Sequence, residues 1–201
     1  MPRTLVIMLK LPQAGRVKTR LGRDLGMVGA AWWFRHQSAR LLRRLHDPRW
    51  RIVLAVAPDC AVHSPVWPTE LPRLAQGRGD LGQRMARMLR SANAGLPGGP
   101  TCLIGADIPG ITQSHIARAF DSLGDHDAVF GPALDGGYWL VGMKYPRRQP
   151  PGLFADVRWS SEHALNDTLT TLPGYRIALI DRLRDVDTIE DLPQTTRHFS
   201  R

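Results

Sequence analysis

Apolar runs of five to eight residues recur along this chain, separated by longer segments in which apolar positions return at helical spacing. That alternation is the pattern of an α/β domain with a mostly parallel sheet. Strands are predicted at 4–10, 51–57, 101–106, 127–131, 137–143 and 176–181. Between the first two, GAAWWFRHQSARLLRRLH sets Trp33, Gln37, Leu41, Arg44 and Leu45 about one turn apart, as a crossover helix does. Segments 80–93 and 112–123 read the same way, with Asp80 and Thr112 as N-caps. LPRLA, at 71–75, is a poor strand by the same criteria.

Only PALDG separates the fourth and fifth of these runs, too little for a parallel crossover, so they should pair antiparallel and make the sheet mixed. Pro146, Pro150 and Pro151, with Arg147 and Arg148 beside them, predict a mobile surface loop. Trp32, Trp33 and Phe34 cannot all face one core, and burial on two sides of the helix is expected. A last helix should begin near Thr188, where Thr188 and Asp191 have capping-box spacing.

The chain of 201 residues fits one domain, 1–201. No apolar run is long enough to span a bilayer and no signal-peptide pattern opens the chain, so a cytoplasmic protein without a membrane partner is expected. Cys60 and Cys102 lack CxxC spacing and read as free thiols. A net charge of +9 invites a nucleic-acid partner. The cations, however, are 24 arginines and 3 lysines spread along the chain, with no stripe of interleaved aromatics, so no nucleic-acid partner is expected. The same charge steers anionic small substrates.

Ligands in an open α/β sheet bind beyond the carboxyl ends of the strands, which directs attention to four stretches. The first is LKLPQAGRVKTRLG, Leu9 to Gly22. Pro12 fixes the entry of this loop, Gly15 permits a tight turn, and Lys18 and Arg20 offer charge-assisted hydrogen bonds to phosphate. It is not a Walker A loop, because Val17 stands where a glycine should precede Lys18. The second is GADIPG, in which Asp107 at a strand end suits a hard cation such as Mg²⁺ or Mn²⁺, or else starts a turn.

In GPALDGGYWL, Asp135 precedes two glycines at which a substrate could approach the backbone; the competing reading is a tight hairpin. DRLRDVDTIEDL carries five acidic residues, among which Asp187 or Asp185 is a second metal ligand or a cap of the last helix. Gly77, Gly79 and Gly82 fit G-x-G-x-x-G without the βαβ unit that a dinucleotide fingerprint requires. That loop still opens a helix, so Gly79 and Asp80 stand where a base or phosphate is met.

Taken in order, K-x-P-x-x-G-x-x-K-T-R-L, G-x-D-x-P-G, G-P-A-x-D-G-G-Y-x-L, the Trp159-Ser160 step and D-V-D-T-x-E-D-L resemble a bacterial family of nucleotide-diphospho-sugar transferases of the glycosyltransferase-A fold, the selenodomain-associated type. They are similar, more distantly, to 2-phospho-L-lactate guanylyltransferase and the molybdenum-cofactor guanylyltransferases. The resemblance runs from about residue 4 to residue 192. It implies a three-layer α/β domain, a nucleotide in the N-terminal half and an acceptor in the C-terminal half. It also implies a phosphate role for Lys18 and Arg20, and a divalent metal on Asp107 and Asp187. Ser160 reads as a helix N-cap.

Two features depart from related enzymes: the longer glycine-rich loop with an Arg-Met pair is missing, and Pro109 stands where an Asp-x-Asp would have its second aspartate. Lys18, Asp107 and Asp135 are the expected catalytic residues. The partners expected are an NTP or NDP-sugar and a small acceptor. Nucleotidyl transfer is favoured by the cations of the first loop; glycosyl transfer and a nucleotide-binding module without turnover are the alternatives.

Overall fold

The computed structural model describes residues 1–95 and 98–184. Seven strands form one sheet: β1 (Thr4–Lys10), β2 (Arg51–Ala57), β3 (Arg73–Ala75), β4 (Thr101–Gly105), β5 (Ala128–Pro132), β6 (Tyr138–Met143) and β7 (Ile177–Leu179). Their order is β3-β2-β1-β4-β6-β5-β7. Only β6 runs against its neighbours, pairing antiparallel with β4 and β5. The short 133–137 connection enforces that reversal, as its length requires.

Among the described residues four α-helices cover the sheet: α1 (Gly22–Arg44), α2 (Leu81–Ser91), α3 (Gln113–Ser122) and α4 (Ala164–Thr170). Alternation along the strands divides the core. Leu5, Ile7, Leu9, Cys102 and Ile104 pack on the face of α1 and α3, around Leu41 and Phe120. Val6, Leu103, Phe130 and Val141 pack on the other face, beneath Met85, Met88 and Leu89 of α2, with Leu165 and Leu169 of α4 at its edge. The two faces have opposite parity along one strand, which is the period of a pleated sheet.

Several expectations change. LPRLA contains a three-residue edge strand, β3, paired parallel to β2, too short to carry a periodic signal. α1 begins seven residues before the predicted segment and is broken at Gly26, whose φ of 75° lies outside the helical region. Trp33 and Phe34 are buried, but Trp32 is 62% exposed and lies against His36. Ser160 is not a cap: its φ is 58°, and α4 starts four residues later, at Ala164, behind His163.

The 146–151 loop is held rather than loose. Pro146 is buried, Gln149 donates to the Ala86 carbonyl at 3.1 Å and the Tyr175 hydroxyl to the Arg148 carbonyl at 3.2 Å. Both thiols are free, and burial pushes that of Cys102 far above its ordinary value. The predicted last helix near Thr188 lies outside the described residues.

Asn93 ties the amino ends of β1 and β4 together from within the core. Fully buried, it accepts from the Thr4 hydroxyl and donates to Thr101 Oγ1 at 2.9 Å and the Gly99 carbonyl at 3.2 Å. Asn93→Leu would leave two buried hydroxyls without this partner, at about 1–3 kcal/mol each. Urea unfolding should report a loss in that range; a change below about 0.5 kcal/mol would remove the network from the fold's support.

Candidate functional site

A cavity of about 680 Å³ opens where the carboxyl ends of β1 and β4 meet the start of β6. It lies at the point where the chain, having built β2 and β3 to one side of β1, returns to build β4 on the other. Ligand crevices form at such switch points. Its floor is Met8, Leu9, Leu103 and Gly105; Tyr138 to Val141 form one wall.

The loop after β1 supplies Arg16 to Arg20. Val17 and Leu21, 4% and 0% exposed, sink into the core and anchor the loop on both sides of Lys18. A glycine at position 17 could not do this, which is the physical reason the stretch departs from a Walker A loop. Lys18 takes a left-handed backbone conformation, φ 45°, and its Nζ donates to Asp107 Oδ2 at 3.2 Å. The Lys18 side chain is only 8% exposed and that of Asp107 41%. The ammonium is thus fixed in the floor and the carboxylate stands open to the cavity.

Gly105 makes room for that carboxylate: a Cβ there would lie 2.8 Å from Asp107 Oδ1. The opposite wall comes from α2. Asp80 caps it, accepting from the Gln83 N–H at 2.8 Å while the Gln83 side chain accepts from the Asp80 N–H at 3.3 Å. Gly79, φ 110°, is the turn into this box, and its carbonyl accepts from Arg84 Nε at 2.9 Å. Arg84 therefore reaches the cavity with its guanidinium already oriented. Gln76, 4% exposed, bridges the Leu9 and Ala55 carbonyls, 3.2 and 2.9 Å. Burial raises the Tyr138 phenol well above its usual range, so it stays protonated.

Of the residues singled out from sequence, Lys18, Arg20, Gly79, Asp80 and Asp107 line this one cavity. Pro12, Gly15 and Asp135 do not. Pro12 lines a separate cavity on the far side of its loop, because the chain turns between residues 12 and 16 and shows different sides to each. Asp135 accepts from the Gly137 N–H at 2.9 Å, and a Cβ on Gly136, φ 86°, would meet the Glu162 backbone at 2.3 Å. This is the hairpin geometry rather than an open approach to the backbone. Asp185 and Asp187 lie outside the described residues. Lys10 and Arg16, the other two cations of the first loop, also line it, and Gln76 and Arg84 join the lining without having been singled out as binding residues.

Among the described residues no group of three or more His, Cys, Asp and Glu side chains could hold a metal. Asp107 alone, with an open carboxylate, fits an ion held by one carboxylate and by substrate phosphates, the usual manner of Mg²⁺.

A family model described as "Uncharacterized protein conserved in bacteria (DUF2064)" matches residues 41–161. No curated protein matches the chain. A solved structure from Desulfovibrio desulfuricans G20, which carries the provisional name nucleotide-diphospho-sugar transferase, is 28% identical and superposes with a TM-score of 0.80, covering 94% of this chain and 84% of that one. A cytidylyltransferase from Leptospira borgpetersenii is 13% identical, with a TM-score of 0.62 over 95% of this chain and 83% of its own. Rv0371c of Mycobacterium tuberculosis, solved in complex with manganese, is 15% identical, with a TM-score of 0.53 over 100% and 98%. No described helix is long and apolar enough to cross a membrane.

The left-handed turn at Lys18 has a direct test. A side-chain-bearing residue there costs about 1–2 kcal/mol that glycine avoids. Lys18→Gly should therefore be more stable than Lys18→Ala, by about 1 kcal/mol in denaturant unfolding. Equal or reversed midpoints would place the turn elsewhere.

Proposed function

The chain belongs to the family described as "Uncharacterized protein conserved in bacteria (DUF2064)", and from the cavity at its switch point we propose that it is a nucleotide-using transferase that moves a nucleotidyl group from an NTP to a small phosphorylated acceptor. The observation that carries this reading is the charge of the lining. Lys10, Arg16, Lys18, Arg20 and Arg84 face Asp80 and Asp107, five cationic groups to two carboxylates. A triphosphate is the ligand whose charge such a lining matches.

In this reading an oxygen of the acceptor phosphate attacks the α-phosphorus. The bond from that phosphorus to the bridging oxygen breaks, and pyrophosphate leaves with the electron pair. Lys18 and Arg20 lie in the loop after β1 and balance the charge gathering on the leaving group. Arg84 and the Gly79–Asp80 turn hold the nucleotide from the α2 side, and the fixed geometry supplies orientation. Asp107 is the residue that would hold Mg²⁺ or Mn²⁺; such an ion, when bound, neutralises phosphate charge and polarises the phosphoryl oxygens. The manganese complex of Rv0371c supports this, in that the same fold accepts a divalent cation. The guanylyltransferase resemblance serves as the chemical template, in a cytoplasmic enzyme.

A second reading is glycosyl transfer from an NDP-sugar, favoured by the provisional name of the Desulfovibrio protein. The same cations would then steady the departing NDP, and Asp135, beside the cavity in sequence though not in its lining, would orient the acceptor.

A thermal-shift series against the NTPs and common NDP-sugars, each with Mg²⁺, Mn²⁺ or EDTA, separates the readings. Ligand at a hundred times its Kd stabilises by about 2.7 kcal/mol. For a domain of this size that raises Tm by roughly 2–4 °C per kcal/mol. One NTP acting only with metal is the expected result. Preference for an NDP-sugar would transfer the assignment to glycosyl transfer, and nucleotide binding without any product over hours would indicate a module without turnover. Asp107→Asn should abolish the metal-dependent part of the shift while the chain stays folded, with an unliganded Tm lowered by the loss of the charge beside Lys18. Lys18→Ala should weaken nucleotide binding by about 1.5–3 kcal/mol, the contribution of a charged hydrogen bond.

A further inference from the structure

The second cavity, of about 580 Å³, lies between one flank of α1, Ile52 of β2 and the 66–71 segment. It shares no lining residue with the first. Its walls are apolar: Leu42, Ile52, Val66, Trp67 and Leu71. Trp67 is fixed by its indole N–H, which donates to the Ala61 carbonyl at 2.9 Å, so the ring is held in place as part of the wall.

Arg35, Ser38 and Arg43 lie along one line of α1. Ser38, Ala39 and Leu42 form the middle of the helical wall, with Arg35 before them and Arg43 after. Eight residues of helix put those two arginines roughly 12 Å apart along the axis. Neither arginine side chain has a partner among the described residues, and both are exposed. Glu70 and His46 complete the rim, so the two guanidiniums outnumber the single carboxylate. Ser38 is 3% exposed, and its hydroxyl has no hydrogen-bond partner among the described residues.

An apolar chamber of this volume with a few convergent polar groups is the usual form of a small-molecule site. We infer that this cavity binds a small amphipathic anion, an aryl or alkyl body carrying one carboxylate, sulfonate or phosphate. The body covers Leu42, Ile52 and Trp67. Its anionic head meets Arg35 or Arg43. Pro12, which the sequence pattern assigns to the nucleotide, belongs to this site instead. The inference does not depend on the transferase reading, since no residue is common to the two cavities.

Two probes with one apolar body test it on the full chain: 8-anilino-1-naphthalenesulfonate, an anion, and N-phenyl-1-naphthylamine, its neutral counterpart. Fluorescence titration should show the sulfonate saturating at one equivalent, with at least tenfold higher affinity than the neutral amine. The exposed pair Arg35→Gln with Arg43→Gln should erase that preference. Ala39→Phe, which fills the chamber from the helix side, should weaken both probes tenfold or more. The arginine variant alters only exposed side chains, so it decides the matter even where Ala39→Phe disturbs the fold. Equal affinity for the two probes, binding that does not saturate, or a preference untouched by the arginine variant would overturn the assignment.

Discussion

A right-handed crossover fixes which face of the sheet its helix covers, and in this chain the crossovers run both ways along the sheet. From β1 to β2 the chain moves outward and α1 lies on one face; from β3 it returns past β1 to β4 and α2 lies on the other. The carboxyl ends of β1 and β4 lie side by side between these two layers, and the residues that follow them line the cavity.

The loops that leave those ends meet in the Lys18–Asp107 pair at 3.2 Å. Neither residue is placed by its own strand alone. Lys18 is brought in by Val17 and Leu21, which bury their side chains in the core and so turn the exposed loop into a fixed one. Asp107 stands two residues past β4 in space that Gly105 leaves open. A lysine with a nearly buried side chain needs a compensating charge, and the partly exposed aspartate supplies it without being sealed off. The arrangement holds charge ready before a ligand arrives, which is what electrostatic catalysis requires.

Features governed by local period were legible in the sequence. β1 and β2 match their predicted bounds because both are long, apolar and bracketed by polar turns, and Asp80 caps α2 because capping is a contact between near neighbours. Features that arise between distant elements were not. β3 has three residues, and its partner β2 creates it; Trp32 is exposed while its neighbours Trp33 and Phe34 are buried, a choice made by what packs on α1. In the site, Lys18, Arg20 and Asp107 were readable because each follows a strand. Arg84 and Gln76 were not, since only the packing of α2 and the β3 end against β1 brings them to the same cavity. Pro12 shows the same limit from the other side, for spacing places a residue in a loop without saying which side of the loop it serves.

The single carboxylate and the excess of cations belong together. Pro109 occupies the place of a second aspartate, and among the described residues the cavity offers Asp107 beside an Asp80 already engaged in capping α2. Two open carboxylates would attract a divalent ion strongly on their own and would also repel the phosphates it has to serve. One carboxylate surrounded by guanidinium and ammonium groups reverses that balance: the phosphates are drawn in by the protein, and an ion finds most of its oxygen ligands on the nucleotide. On the proposed reading, ion and nucleotide therefore bind as a unit. The single open carboxylate and the cations around it are then two expressions of one electrostatic solution.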